Sequence, residues 1–204
     1  MNRGESRLRE AAMLGLLAFV LTPVTILIHE SGHLAVAWAS GLPAELHPTS
    51  VSGGAHAESG QPAWLIALQA AGGPLLTLAM SLAAGLLYVR DPGRRWALAF
   101  AVAAASRLFV TTAWLGLRLM LLVLGRPYGG RPNFDEHGVA RALGWPPEVT
   151  AIAATLFAVG VLFWLVRRVE RGRRIAGLSA MAAAIVAANI LWPMAMPVVL
   201  VRVG

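Results

Sequence analysis

Apolar residues gather into five long segments along the chain, and short polar stretches separate them. A transmembrane helix needs about 20 apolar residues, so each segment is long enough to cross a bilayer, the fourth only just. The segments run from 11 to 40, 63 to 89, 96 to 124, 149 to 166 and 175 to 201. The pattern therefore predicts an all-α, polytopic membrane protein with about five spans.

The third segment differs from the others because Arg107 and Arg118 interrupt it. Charged side chains inside a membrane are costly and normally face a polar interior. We therefore expect this span to line a polar interior, to tilt or to break. The last two segments carry no such residues, and we expect them to be packing helices that face lipid.

Composition supports the membrane assignment and narrows the chemistry. Hydrophobic residues make up 57% of the 204 residues and charged residues only 13%, so we predict a single membrane domain over 1–204 with no soluble catalytic domain. There is no cysteine, so any metal must take His, Asp or Glu ligands. The net charge is +7. In a membrane protein, such a charge indicates basic loops beside anionic lipid rather than nucleic-acid binding.

Arginines are distributed unevenly among the connections, which predicts an orientation. The N-terminus has three, the connection after the second segment has three and that after the fourth has five, whereas the first connection has none. The positive-inside rule then puts the N-terminus and both of these connections in the cytoplasm and the C-terminus outside. Three arginines in the third connection weaken this bias. The basic N-terminus precedes an unbroken apolar stretch, which indicates a retained helix rather than a signal peptide.

The sequence His29-Glu30-Ser31-Gly32-His33 is an HExxH motif inside the first apolar segment. Two histidines four residues apart lie on one face of a helix, so both imidazoles can reach one zinc ion. The glutamate between them can then act on a zinc-bound water. The motif therefore predicts a membrane-embedded metal site with His29 and His33 as ligands.

A catalytic zinc ion usually has three protein ligands, so the motif leaves one ligand to be found. The cluster Asn133–His137 stands out because it lies in a proline-broken connection, from which a loop or short helix could fold back into the membrane. The open candidates in the chain are Glu45, His47, His56, Glu58, Asp135, Glu136 and His137.

Three elements together resemble the site-2 protease family of membrane-embedded zinc metalloproteases. They are the apolar HExGH helix, the Gly72-Gly73-Pro74 sequence in the next span and the Asn-x-Asp element that ends at Asp135. The resemblance extends over about residues 20 to 145 and is to the small bacterial members that lack a PDZ domain. It implies that His29 and His33 bind zinc, that Glu30 is the catalytic acid and base, and that Asp135 is the third ligand. Glu136 and His137 are its alternatives.

The family pattern differs from this chain at two points that matter for the site. The family often has Asp-Gly at the third ligand, whereas this chain has Asp135-Glu136-His137-Gly138. Members often carry an asparagine shortly after the Gly-Pro, whereas Leu75, Leu76 and Thr77 follow here. The family also has a membrane-associated strand in the first connection, which implies a strand near Val51–Ala55 that could pair with an extended substrate.

The resemblance implies an intramembrane zinc protease of the bacterial cell membrane that cleaves membrane-associated proteins. Its catalytic core would be about 11–148, and 149–201 would add further helices. The alternatives are a non-proteolytic zinc-binding or regulatory membrane module, and a two-histidine haem or ion-transport protein. Haem ligation has no use for Glu30, which favours hydrolysis.

The charge count and the resemblance predict different depths for the motif. Many family members carry the HExxH motif in the cytoplasmic half of its helix. Here His29 follows the start of the apolar segment by 18 residues, or about 27 Å of helix. With a cytoplasmic N-terminus, that distance predicts a site towards the exterior leaflet.

Overall fold

The computed structural model describes residues 3–56, 59–126, 134–169, 171–195 and 200–204. Within them, four helices are long and apolar enough to cross a membrane, and a bent pair of shorter helices makes a fifth if it counts as one span. The prediction of an all-α membrane fold with about five spans is therefore confirmed. The helices are α1 Arg3–Ala39, α2 Ala63–Arg90, α3 Arg95–Ser106, α4 Phe109–Val123, α5 Asp135–Leu143, α6 Pro147–Arg168 and α7 Arg171–Ala195.

Helix α1 carries the HExxH motif and lies at the centre of the helical packing, against α2, α3 and α7. At its crossing with α2, two glycines meet. A Cβ atom on Gly72 would lie 2.5 Å from the carbonyl oxygen of Gly32. Only glycine at both positions lets the two backbones come this close. This crossing brings the motif against the second span.

The main core lies between α1 and the later helices. Its buried side chains include Leu14 of α1, Leu98 of α3, Leu165 of α6 and Met181 of α7. One face of each of the last two helices is thus part of the core, while other positions, such as Phe163, are exposed. This is the packing role that the sequence predicted for them.

The third span breaks, as one of the three expectations for it proposed. Helices α3 and α4 meet at an angle of 42°, and Arg107 and Leu108 lie between them. Helix α3 is rich in alanine, and Ala97, Ala99 and Ala101 are fully buried. Small residues permit close helix packing in membranes.

A small three-stranded sheet contacts α1. Strands β1 Ala44–His47 and β2 Ser50–Gly53 form an antiparallel hairpin, and β3 Val201–Val203 pairs with the other edge of β1. The strand order is β2-β1-β3. The predicted strand in the first connection is therefore confirmed.

Strand β3 corrects the predicted end of the fifth span. The sequence predicted a span that continues to Val201, but α7 ends at Ala195 and Val201 begins a strand. An apolar run does not by itself distinguish a helix end from a buried strand. Pairing with β1 decides the outcome here, and an ion pair of 2.6 Å between Arg202 and Glu45 accompanies it.

Helix α5 lies in the proline-broken connection, where a loop or a short helix was expected. It begins at Asp135 and ends at Leu143, and the following Gly144 has a positive φ of 69°. The hydroxyl of Thr150 on α6 donates a hydrogen bond of 2.7 Å to the carbonyl oxygen of Glu136. The helix also packs against α2, so its first residues are held against the HExxH motif.

Candidate metal centre

The side chains of the HExxH motif are buried where α1 faces α2. His29, Glu30 and His33 are only 4%, 6% and 7% exposed. The two imidazole rings lie 5.1 Å apart between centroids, as expected for histidines one helical turn apart. Three buried ionisable groups inside an apolar span define a site rather than a packing surface.

The outer nitrogens of both imidazoles are held by α2. Nδ1 of His33 lies 2.6 Å from the carbonyl oxygen of Gln69, and Nδ1 of His29 lies 2.9 Å from the hydroxyl of Thr77. A carbonyl oxygen only accepts, so Nδ1 of His33 carries the proton. The hydroxyl of Thr77 donates its one proton to the carbonyl of Gly73 at 2.9 Å, so it accepts from His29.

This hydrogen-bond pattern fixes what the inner nitrogens present. In a neutral imidazole with the proton on Nδ1, Nε2 carries a lone pair. In that tautomer, His29 and His33 both direct an Nε2 lone pair at the same point. Partners that hold the outer nitrogen in this way are typical of metal-binding histidines.

Asp135 supplies a third donor atom at the same point. Its Oδ2 lies 2.8 Å from Nε2 of His29 and 3.4 Å from Nε2 of His33. Burial by itself raises the pKa of Asp135, but the two facing histidines lower that pKa further, and it lies well below its usual value. The group is therefore a carboxylate with no proton of its own.

An Nε2–H of either histidine can donate to this carboxylate, and a metal ion in place of that proton could be bound by all three atoms. Donor atoms of His29, His33 and Asp135 all lie within 4.8 Å of one another. The group could therefore hold a metal ion, with two nitrogens and one oxygen as ligands.

Gly73 leaves the space that these ligands need. A Cβ atom at this position would lie 2.8 Å from Nε2 of His29 and would also collide with Nε2 of His33. The glycine pair of α2 thus has two separate tasks. Gly72 permits the approach of the two helices, and Gly73 leaves room for the imidazole edges.

The residues next to Asp135 are directed elsewhere. Oε2 of Glu136 accepts a hydrogen bond of 2.8 Å from Thr111 on α4, and burial raises the pKa of its carboxyl group. The ring of His137 packs 6.1 Å from that of Phe134 between centroids. Neither belongs to the group of three donors.

The remaining candidates for the third ligand are in the first connection. Glu45 pairs with Arg202, and His47 contacts Ser52 at 3.1 Å within the hairpin. His56 is exposed and contacts the carbonyl of Gly54 at 3.1 Å. Glu58 lies outside the described residues.

Glu30 lies beside the donor group, and its nearest charged partner is Arg107. Oε1 of Glu30 is 3.5 Å from Nη2 of Arg107 at the break between α3 and α4. Arg118, the other arginine of the broken span, pairs instead with Glu148 of α6 at 3.0 Å.

A cavity of about 760 Å³ opens onto the donor group and Glu30. Besides the metal-site residues, α5 and β2 line it, the latter through Ser50, Val51 and Gly53. The side chain of Gln69 ties the end of this strand to α2, since its Nε2 donates a hydrogen bond of 3.3 Å to the carbonyl oxygen of Gly53. Its Oε1 also accepts a hydrogen bond of 2.6 Å from the backbone N–H of Ala55. One residue of α2 therefore positions both His33 and the end of the strand.

An exposed tryptophan lies nine residues from the site on each of α1 and α2. Trp38 follows His29 by nine residues on α1, and Trp64 precedes Gly73 by nine residues on α2. Their side chains are 70% and 64% exposed, as is typical of tryptophans at a membrane interface. Both intervals correspond to about 14 Å of helix. Along each helix, an exposed tryptophan is thus about 14 Å from the part of the site that the helix contributes.

Gln69 and Thr77 are the functional positions that the sequence analysis missed. They lie four residues before and after Gly73, so the three residues form one polar and small stripe on an otherwise apolar helix. That spacing is a signal in the sequence.

Comparisons of the chain with protein-family models, with curated proteins and with solved structures find no match.

Proposed function

We propose that this protein is an intramembrane zinc metalloprotease that hydrolyses peptide bonds of membrane-associated proteins. One observation carries the proposal: donor atoms of His29, His33 and Asp135 lie within 4.8 Å of one another, next to the buried carboxyl group of Glu30. The resemblance of the motifs to those of site-2 proteases supports the same activity. That resemblance also favours a bacterial cell membrane as the location.

The donor set favours zinc over other metals. Two imidazole nitrogens and one carboxylate oxygen are a common ligand set of catalytic zinc, which keeps a fourth position open for water or substrate. Softer thiolate ligands are absent because the chain has no cysteine. Zinc-binding histidines normally have a hydrogen-bond partner at the nitrogen that faces away from the metal. Gln69 and Thr77 are such partners for His33 and His29.

A bound zinc ion would lower the pKa of a water molecule to about 7 and polarise a peptide carbonyl. The remaining steps fall to Glu30. Its carboxylate accepts a proton from the attacking water and later delivers that proton to the nitrogen of the leaving amine. Its position next to His29 on the same helix keeps it beside the metal ligands throughout.

We expect the cavity to bind a peptide in an extended conformation. Strand β2 lies at the edge of the sheet among the described residues, and it lines the cavity. A substrate that unwinds inside the membrane exposes its backbone amides, and an edge strand can satisfy them. We therefore expect substrates to dock along β2 before they reach Glu30.

The decisive experiment compares wild-type protein with Glu30→Gln in detergent or in vesicles. Zinc content is measured by elemental analysis, and cleavage is measured with labelled single-span peptides. We expect Glu30→Gln to keep full zinc occupancy and to lose cleavage by several orders of magnitude. Glu148→Gln changes an acid that pairs with Arg118 outside this cavity, and it should retain cleavage.

Two results would count against the proposal. Unchanged cleavage by Glu30→Gln would remove Glu30 from the mechanism. Zinc-loaded wild-type protein that cleaves no peptide in the panel would favour the alternative, a non-proteolytic zinc-binding or regulatory module.

A further inference from the structure

Arg107 is a charged residue in the middle of the broken third span. It lies between α3 and α4, where the helix axis turns by 42°. Its side chain is 22% exposed, so the guanidinium group is largely removed from solvent. A cation in such a place is expensive and usually serves a site.

The ion pair with Glu30 does not use the donors of this guanidinium fully. A guanidinium group has five N–H donors in a planar fork and often binds a carboxylate through two of them. Here one contact of 3.5 Å joins Nη2 to Oε1 of Glu30. The buried Nε of Arg107 has no hydrogen-bond partner within the described part of the chain.

The cavity is where the remaining donors can be used. Arg107 lines the same cavity as His29, Glu30 and Asp135. A peptide carbonyl that reaches Glu30 and the ligand group therefore comes within range of the guanidinium. The Nη groups carry N–H donors beyond the single contact with Glu30, and these can donate to an acceptor that enters the cavity.

We propose that Arg107 is a further catalytic residue, which donates hydrogen bonds to the carbonyl oxygen of the peptide bond under attack. This inference rests on the proposed proteolytic function. As the water oxygen bonds to the carbonyl carbon, the π electron pair moves to the carbonyl oxygen and one water proton moves to Glu30. Arg107 remains protonated and stabilises the negative charge on that oxygen. When the C–N bond breaks, the oxygen's electron pair re-forms the carbonyl and the nitrogen receives the proton from Glu30.

The first test measures kcat and KM for Arg107→Gln and Arg107→Lys with the same single-span peptides. Loss of one such donor typically lowers kcat by about 10²- to 10³-fold, and we expect Arg107→Gln to fall in this range with little change in KM. Arg107→Lys keeps the charge and should recover part of the loss. Arg118→Gln is the matched control, because this arginine of the same broken span does not line the cavity.

The second test measures binding rather than turnover. A phosphinic peptide mimics the charged tetrahedral oxygens, whereas a peptide hydroxamate chiefly chelates the metal. We expect Arg107→Gln to weaken binding of the phosphinic peptide by about 10²-fold while binding of the hydroxamate and zinc content stay near wild-type values.

A third test is chemical rescue of turnover. Added guanidinium ions at millimolar concentration should restore part of the activity of Arg107→Ala.

The outcomes separate the two proposals. Equal affinity of Arg107→Gln and wild type for the phosphinic peptide would overturn the role of Arg107 and leave the protease intact. Parallel loss of zinc, hydroxamate binding and phosphinic-peptide binding in both Arg107→Gln and Arg107→Lys would show a structural role and overturn it as well. A wild-type protein that binds no zinc would remove the proposed function itself.

Discussion

The hydroxyl of Thr77 accepts a hydrogen bond from Nδ1 of His29 across 2.9 Å, and it donates its own proton to the carbonyl of Gly73. The directions of these two hydrogen bonds determine which nitrogen of His29 carries the proton. Because the outer nitrogen carries the proton, the inner one presents its lone pair to a metal.

Replacement of Thr77 by valine should therefore weaken metal binding without removing a ligand. Loss of a partner that orients a metal-binding histidine typically costs 10- to 100-fold in affinity, and we expect Thr77→Val to fall in that range. Thr77→Ser keeps the hydroxyl and should retain nearly wild-type affinity. Competition with a zinc-sensitive dye measures both constants. Equal affinity of the valine and serine variants would show that the hydroxyl does not orient His29.

A single methyl group at Gly73 should abolish metal binding. The added Cβ of Gly73→Ala would lie 2.8 Å from Nε2 of His29 and would also collide with Nε2 of His33, so the imidazoles must move. Elemental analysis of purified protein should show little zinc. Gly160→Ala is the control, since a Cβ there meets nothing within 4 Å. It should keep zinc and stabilise its helix by roughly 0.5–1 kcal/mol.

The two acids at the start of α5 should behave differently when they are neutralised. Asp135→Ala removes a donor atom that lies 2.8 Å from His29, and we expect it to lose zinc. Glu136→Gln changes a side chain that is bonded to Thr111 instead, and it should retain zinc. Metal stoichiometry of the two variants decides the matter. Full zinc occupancy in Asp135→Ala would transfer the role of third ligand to a neighbour.

The absence of cysteine makes the orientation directly measurable. Ser40→Cys at the end of α1 and Arg90→Cys at the end of α2 introduce exposed thiols, which we expect on opposite faces of the membrane. From the arginine distribution, a membrane-impermeant maleimide should label Ser40→Cys in intact cells and label Arg90→Cys only after lysis. The wild-type chain, with no thiol, is the background control. The reverse pattern would invert the orientation.

Much of the fold is readable from the sequence because long apolar segments have few alternatives in a membrane. The spans follow from that constraint, whereas the break near Arg107 was one of three expectations and the short helix at Asp135 one of two. Strand β3 does not follow from it, because its partner β1 lies about 155 residues earlier in the chain, and nothing local to Val201 records the pairing.

The site, like the fold, is only partly predictable from the sequence. The HExxH spacing brings His29 and His33 together through local helix geometry alone. The choice between Asp135 and Glu136 depends on how α5 packs against α2 and α4, which adjacent positions in a sequence do not encode. The spacing of Gln69 and Thr77 around Gly73 is visible in the sequence, but the crossing of Gly32 and Gly72 determines that this face of α2 meets the motif.

The depth of the donor group bears on the fate of what is cut. A helical substrate segment divided at this level keeps about nine residues on the tryptophan side, and roughly a dozen remain on the other side of a 20-residue span. Neither piece is long enough to cross a bilayer alone. If the proposed cleavage occurs, it severs the anchor itself, and both fragments become free to leave the membrane on opposite sides.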